Sequence, residues 1–224
     1  MVKKTTIGFC LMLAVLTACN AKNDADASNS LDADASYAFG MIFGAEIKPF
    51  GFKLDYNAFI EGFKASLEGN PNITEEEALA IIQQTITDSM QRASNENLEE
   101  SISFLEENAL RNGIITTESG LQYEVINETE GAKPNAGDTV RVNYEGTLID
   151  GTIFDSSFER GEPVEFPLGQ VIPGWTEGIQ LMSPGSRYKF YIPPELGYSD
   201  QPMGGIIPAN SVLIFDVELL DILD

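Results

Sequence analysis

The chain has 224 residues, with 13 basic against 35 acidic side chains, a formal net charge of −22 and no histidine. That excess of acid excludes a phosphate-backbone binder, which needs clustered Lys and Arg, so no nucleic-acid partner is expected. The missing histidine removes His-based triads and most zinc sites, and neither a metal nor a cofactor is expected.

The chain opens on a segment that is not fold. Lys3-Lys4 is a positive start, residues 7–16 are a short apolar run, and Thr17-Ala18 are small. Residues 1–18 read as a signal peptide, too short to span a bilayer as a permanent helix. Leu16-Thr17-Ala18-Cys19 resembles the lipobox of bacterial lipoproteins. That resemblance implies a lipidated Cys19, a membrane anchor, and a place in the bacterial cell envelope, on the periplasmic or surface side of the outer membrane. The alternative is an ordinary signal peptide with an incidental cysteine. Cys10 lies in the removed segment, so the mature chain has no disulfide and must be stable by packing. Residues 19–35, rich in Asn, Asp, Ala and Ser, read as a flexible tether.

A helical region follows, over 36–112. Tyr37, Phe39, Met41, Ile42 and Phe43 form an apolar cluster in a short helix, interrupted by Gly44 and by Pro49-Phe50-Gly51. Asp55 is the expected N-cap of a second helix, with Phe59, Ile60, Phe63 and Leu67 on one face. Thr74-Glu75-Glu76-Glu77 is a capping box. No Pro or Gly then occurs before Gly113, which suits the C′ position. A helix over 74–111 would be about 57 Å long. Leu79, Ile82, Ile86 and Met90 make one apolar stripe, Leu98, Ile102, Leu105 and Ala109 another, and residues 91–100 between them are mostly polar. This pattern predicts a stalk, or else two helices broken near Ser94-Asn95. The small helices carry more large apolar side chains than they can bury alone, which predicts a homodimer.

From residue 113 the period changes to two. Val140, Val142 and Tyr144 share one face, Tyr188, Phe190 and Ile192 alternate, and so do Leu213, Phe215, Val217 and Leu219. One apolar face indicates an antiparallel sheet packed on that side. Asp150-Gly151 marks a hairpin. Only residues 174–182 look helical here, with Trp175, Ile179 and Met182 facing inward. The expected fold class is α+β: a C-terminal twisted antiparallel sheet wrapped on one short helix over 113–224, preceded by an all-α N-terminal dimerisation segment with a long stalk helix.

Several separated motifs then carry a resemblance. They are Phe154-Asp155-Ser156-Ser157, Val171-Ile172-Pro173-Gly174-Trp175, Ile192-Pro193-Pro194 with Gly197-Tyr198, and Ile206-Ile207-Pro208 running on to Phe215. In this order they resemble the FKBP-type peptidyl-prolyl cis-trans isomerases over nearly all of 120–224. The helical half resembles the dimerisation segment of macrophage-infectivity-potentiator-type members from bacterial envelopes. The resemblance implies an apolar cup with Trp175 as its floor and Tyr144, Phe154, Val171, Ile172, Ile207 and Phe215 as its walls. Ile206 is a further apolar position for substrate, and Val164 and Phe166 lie on the rim or behind it. The Ile172 N–H and the Tyr198 hydroxyl would bond a substrate carbonyl. Asp155 would sit at the edge, held by Arg160 and Tyr144. The implied partners are proline-containing unfolded or partly folded polypeptides, and the implied role is that of a folding helper. Two other classes stay open: a peptide-binding module without turnover, and a structural lipoprotein whose helices carry the function.

Overall fold

The strand at residues 139–147 shows why the second half of the chain folds as it does. In the computed structural model, which describes residues 31–48 and 53–223, this strand is β3 (Thr139–Thr147) and its side chains are alternately buried and half-buried. Val140, Val142 and Tyr144 point into the core, and strict alternation puts Arg141, Asn143 and Glu145 on the other face. Before β3 come β1 (Ile114–Thr116) and β2 (Gln122–Asn127). After it come β4 (Ile153–Ser156), β5 (Val164–Pro167), β6 (Arg187–Ile192) and β7 (Leu213–Leu223). The order is β1-β2-β6-β7-β3-β4, with β5 also paired to β3, and every pairing is antiparallel. The expected Asp-Gly hairpin joins β3 to β4, closed by the Leu148 N–H on the Thr152 carbonyl at 2.9 Å.

Between β5 and β6 the helix expected from Trp175, Ile179 and Met182 appears as a short segment (Pro173–Ile179), and all three side chains are buried. Pro173 occupies its first turn, where a missing N–H costs nothing. Gly178 lets this helix press on β6, since a Cβ there would lie 2.6 Å from the Phe190 ring. One further turn of helix (Ser157–Arg160) went unread in the sequence because four residues carry no periodicity.

The helices ahead of the sheet are α1 (Ala33–Ile47), α2 (Tyr56–Leu67) and α3 (Glu75–Ala109); the two short ones already described are then α4 (Ser157–Arg160) and α5 (Pro173–Ile179). The chain divides into two compact units, 1–72 and 73–224, so α3 belongs with the sheet. In the first unit, Asp55 caps α2 as expected, its carboxylate accepting from the Asn57 and Ala58 N–H groups. Asp32 caps α1, so the helix starts at Ala33, inside the stretch read as tether. Nor does Gly44 end α1. A helical glycine costs only about 1 kcal/mol, and the Gly44 carbonyl simply accepts from the Lys48 N–H. The Pro49-Phe50-Gly51 break, the signal peptide and Cys19 lie outside the described residues. No side chain of α1 or α2 is buried, although Phe43 and Phe59 stack at 5.3 Å and Phe59 and Phe63 at 6.3 Å.

Helix α3 is continuous for 35 residues, with no break near Ser94-Asn95, and starts on the expected capping box. The Thr74 N–H donates to Glu77 and the Glu77 N–H donates back to the Thr74 hydroxyl. It ends at Leu110, so Gly113 lies two residues beyond the C′ position and instead shapes the turn into β1. Its inward face also differs from expectation. Leu98 and Leu105 face inward, but Ile102 is 49% exposed and Ala109 is exposed. The positions that turn in between them are Ser94, Asn97, Ser101, Phe104 and Asn108, of which Ser101 and Asn108 are fully buried. The end of this helix therefore covers the second face of the sheet, which was expected to be open. Phe104 packs on Tyr191 at 6.1 Å, and Asn108 donates to the buried Gln122 at 2.7 Å. Gln122 in turn donates to the Leu105 carbonyl. A hydrogen-bonded amide pair can take a core position that hydropathy reserves for leucine.

Candidate functional site

The site is built from the concave side of the sheet and from three connections. β3 contributes Tyr144, β4 Phe154 and Asp155, β5 Phe166, and β7 Phe215. The turn before α5 supplies Val171 and Ile172, and α5 itself supplies Trp175. Tyr198 and the segment 203–207 come from the long connection between β6 and β7. Together they line a cavity of about 500 Å³, to which Gln170, Met203 and Gly204 also contribute.

Trp175 is 4% exposed and forms the floor. Tyr144, Phe166 and Phe215 meet its ring nearly at right angles, with centroids at 5.0, 5.4 and 5.2 Å. Phe154 stands edge-on to Phe215 at 5.4 Å. Edge-to-face packing of this kind fixes the rings while keeping them apart, and so leaves a rigid slot between them. Gly146 makes the Phe154–Phe215 pair possible. A Cβ at that position would fall 2.6 Å from Phe154 and 2.8 Å from Phe215.

One charged cluster sits at the edge. The Tyr144 hydroxyl and the Arg160 guanidinium both donate to the Asp155 carboxylate, and Arg160 also donates to the Tyr144 oxygen at 2.9 Å. The guanidinium lies 5.5 Å from the centre of the Tyr144 ring. Partial burial pushes the Asp155 carboxyl up, but the Tyr144 hydroxyl and Arg160 outweigh it and hold the group below the usual carboxylate range. Burial, then the bond to Asp155, pushes the Tyr144 phenol up to about 12. At neutral pH the cluster is therefore a carboxylate, a neutral phenol and a guanidinium. Arg160 reaches it because the single turn α4, capped by Ser156, returns the chain toward β3.

Three polar hydrogens at the cavity have no acceptor among the described residues: the Ile172 N–H, the Tyr198 hydroxyl and the buried Trp175 Nε1. Burial and the Asp155 charge both push the Tyr198 phenol up, so it stays protonated and can donate. Unpaired donors in an apolar slot fit a guest that brings carbonyl oxygens. The nearby Ser157 hydroxyl is engaged with the Tyr144 main chain, from whose N–H it accepts at 2.8 Å, and among the described residues no nucleophile–base pair is assembled at the cavity.

Of the twelve residues named from the sequence for the site, eleven line this cavity. Val164 does not. It pairs with Val142 across β5 and β3 and packs against the core behind the rim. Gln170 and Gly204 were not singled out. Their only signal is position, next to Val171 and within the loop that carries Met203.

Two family descriptions match the chain. That of the FKBP-type peptidyl-prolyl cis-trans isomerase covers residues 130–220, and that of the domain amino-terminal to it covers 32–125. The chain is 44% identical to the FKBP-type peptidyl-prolyl cis-trans isomerase FkpA of Aeromonas hydrophila, over 87% of this chain and 78% of that one. It is 43% identical to the FKBP-type 22 kDa peptidyl-prolyl cis-trans isomerase of Escherichia coli, over 87% of this chain and 97% of that one. It is 38% identical to the outer membrane protein MIP of Legionella longbeachae, over 84% of each. The crystal structure of FkpA from Escherichia coli superposes with a TM-score of 0.71 at 36% identity, covering 86% of this chain and 97% of that one.

Proposed function

The chain belongs to the FKBP-type peptidyl-prolyl cis-trans isomerase family, and from that premise we propose that its cavity binds the proline of an unfolded client and accelerates rotation about the preceding amide. Amide resonance makes that rotation slow, with a barrier of about 18–20 kcal/mol. Water stabilises the polar planar amide more than the twisted one. The Trp175 floor with its orthogonal aromatic walls strips that water from the proline ring, and the Ile172 N–H and Tyr198 hydroxyl hold flanking carbonyls in place. The twisted state is thereby favoured over the planar one, without nucleophile, metal or cofactor. Asp155, fixed by Tyr144 and Arg160, sets the polarity at the cup edge.

The observation that carries this reading is the aromatic slot of about 500 Å³ with unpaired donors at its margin. The same reading takes the chain to the bacterial envelope, anchored to a membrane through Cys19, with residues 36–112 as dimerisation segment and stalk and 113–224 as the isomerase domain. The MIP relative named for the outer membrane supports that location. The exposed aromatic and aliphatic side chains of α1 and α2, Tyr37, Phe39, Ile42 and Phe63 among them, support a homodimer. A protease-coupled assay on a Xaa-Pro peptide tests the activity. A rate well above background is expected; peptide binding with no acceleration would leave only a binding module.

A further inference from the structure

The wall of the cavity on the 203–207 side is part of a loop that is held from behind. The loop begins at Ser199 and ends at Asn210, and both residues have left-handed backbone, with φ of 53° and 59°. Non-glycine residues hold such conformations only where their surroundings fix them. The Asn210 N–H donates to the Ser199 carbonyl at 2.7 Å and closes the base of the loop. Inside it, Met203 and Ile207 exchange two main-chain hydrogen bonds, of 2.9 and 3.0 Å, which set Met203, Gly204, Ile206 and Ile207 along the cavity.

What fixes the base lies on α3. The Asn97 amide donates to the Ala209 carbonyl at 2.6 Å and to the Ser211 hydroxyl at 3.0 Å. The Ser101 hydroxyl donates to the Asn210 carbonyl at 2.7 Å and accepts from the Val212 N–H at 3.2 Å. The Asn210 amide reaches back to the Ser94 hydroxyl at 2.8 Å and to the Ser94 carbonyl at 3.2 Å. Ser94, Asn97 and Ser101 lie at helical spacing on one face; Ser94 and Asn97 fall within the mostly polar stretch 91–100, and Ser101 directly follows it.

We infer that Ser94, Asn97 and Ser101 of the long helix are positioning residues for the isomerase cavity, latching the 199–210 loop so that Ile206, Ile207 and Met203 form its wall. The inference rests on the proposed isomerase reading and adds that the helix is part of the site's support, besides being a spacer. The three side chains touch no substrate. They act through the 209–212 turn on a wall that contacts the client in both its planar and twisted states. Loosening the latch therefore weakens client binding uniformly and raises KM, while kcat is largely kept.

The test uses the full chain and a Xaa-Pro peptide, with steady-state kinetics and thermal unfolding on each variant. Asn97→Asp combined with Ser101→Ala removes the donors while nearly conserving volume. It is expected to raise KM about five- to tenfold with kcat within twofold, as for loss of a few hydrogen bonds. Asn108→Ala breaks a buried bond of the same helix at its far end, 2.7 Å from Gln122, and serves as the comparison. It is expected to lower Tm with KM and kcat within twofold. If the double variant does not fold, Ser94→Ala, which removes one partner of Asn210, is read instead and is expected to raise KM about twofold. Unchanged KM in the folded latch variant, or an equal KM rise in Asn108→Ala, would overturn the latch. An inactive wild-type chain would instead overturn the isomerase reading itself.

Discussion

Two sides of one loop follow opposite physical rules. On its front, residues 203–207 join an apolar cup in which rings meet edge-to-face and the donors are left unpaired. On its back, the turn at 208–212 is gripped by Ser, Asn and main-chain groups whose donors are paired within the second unit. On the proposed isomerase reading, the donors at the front are left for a guest's carbonyls, whereas those at the back are paired within the fold. Unpaired polar groups in a buried site carry a cost and mark a function, whereas a fully paired network marks support.

The largest effect that can sharpen this contrast is removal of a front wall. Phe215→Ala deletes the ring that meets Trp175, Tyr144 and Phe154. It is expected to cut kcat/KM roughly a hundredfold and to cost about 3 kcal/mol of stability, with the far-UV spectrum kept. Unchanged turnover in the folded variant would remove the cup from the chemistry. Next comes Gly146→Ala, whose methyl group must push Phe154 and Phe215 aside. Overpacking of this kind costs about 1–3 kcal/mol, and kcat/KM is expected to fall about tenfold. A wild-type rate would mean that the ring positions are not critical.

A smaller effect belongs to the charged edge. Asp155→Leu is expected to lower kcat/KM about tenfold, equivalent to 1.4 kcal/mol, by freeing Tyr144 and Arg160. The acid limb has a definite sign. The folded Asp155 carboxyl is depressed, so its contribution to stability is complete above the ordinary Asp value of about 4 and is lost as pH falls through the depressed one. Kinetics from pH 6 to 9 should be flat, with decline only in acid, and Asp155→Asn should lose that part of the decline. The smallest effect on the rate comes from the first unit. Phe63→Glu in the full chain is expected to convert a dimer to a monomer by sedimentation, with peptide kcat/KM within twofold. A wild-type chain already monomeric would refute the dimer.

The contrast also separates what the sequence disclosed from what it hid. The cup was legible because its residues fall in separated motifs whose order carries the family resemblance; strand period alone places an aromatic in the core as readily as in a site. Trp175, Phe215 and Tyr144 line the cavity, and Val164, two residues along β5 from Phe166, packs behind the rim, one of the two places expected for it. The helix from the capping box at Thr74 onward was equally plain. The latch was not, because Ser94, Asn97 and Ser101 are residues that hydropathy assigns to solvent. Their partners are main-chain and side-chain groups more than a hundred positions away, and no local pattern points to them. The same blindness rotated the inward stripe of α3 from Ile102 and Ala109 to Ser101, Phe104 and Asn108. It also hid the covered second face of the sheet at Gln122 and Tyr191.

The central claim is that the cup both holds an Xaa-Pro bond and turns it. Exchange spectroscopy on a proline peptide, with the full chain at catalytic concentration and no helper protease, reads the cis–trans rate directly. Exchange is expected to be accelerated far above the uncatalysed process, which takes roughly tens to hundreds of seconds, and to be equally fast in heavy water because no proton moves. Peptide resonances that shift on binding while their exchange stays at the uncatalysed rate would contradict it.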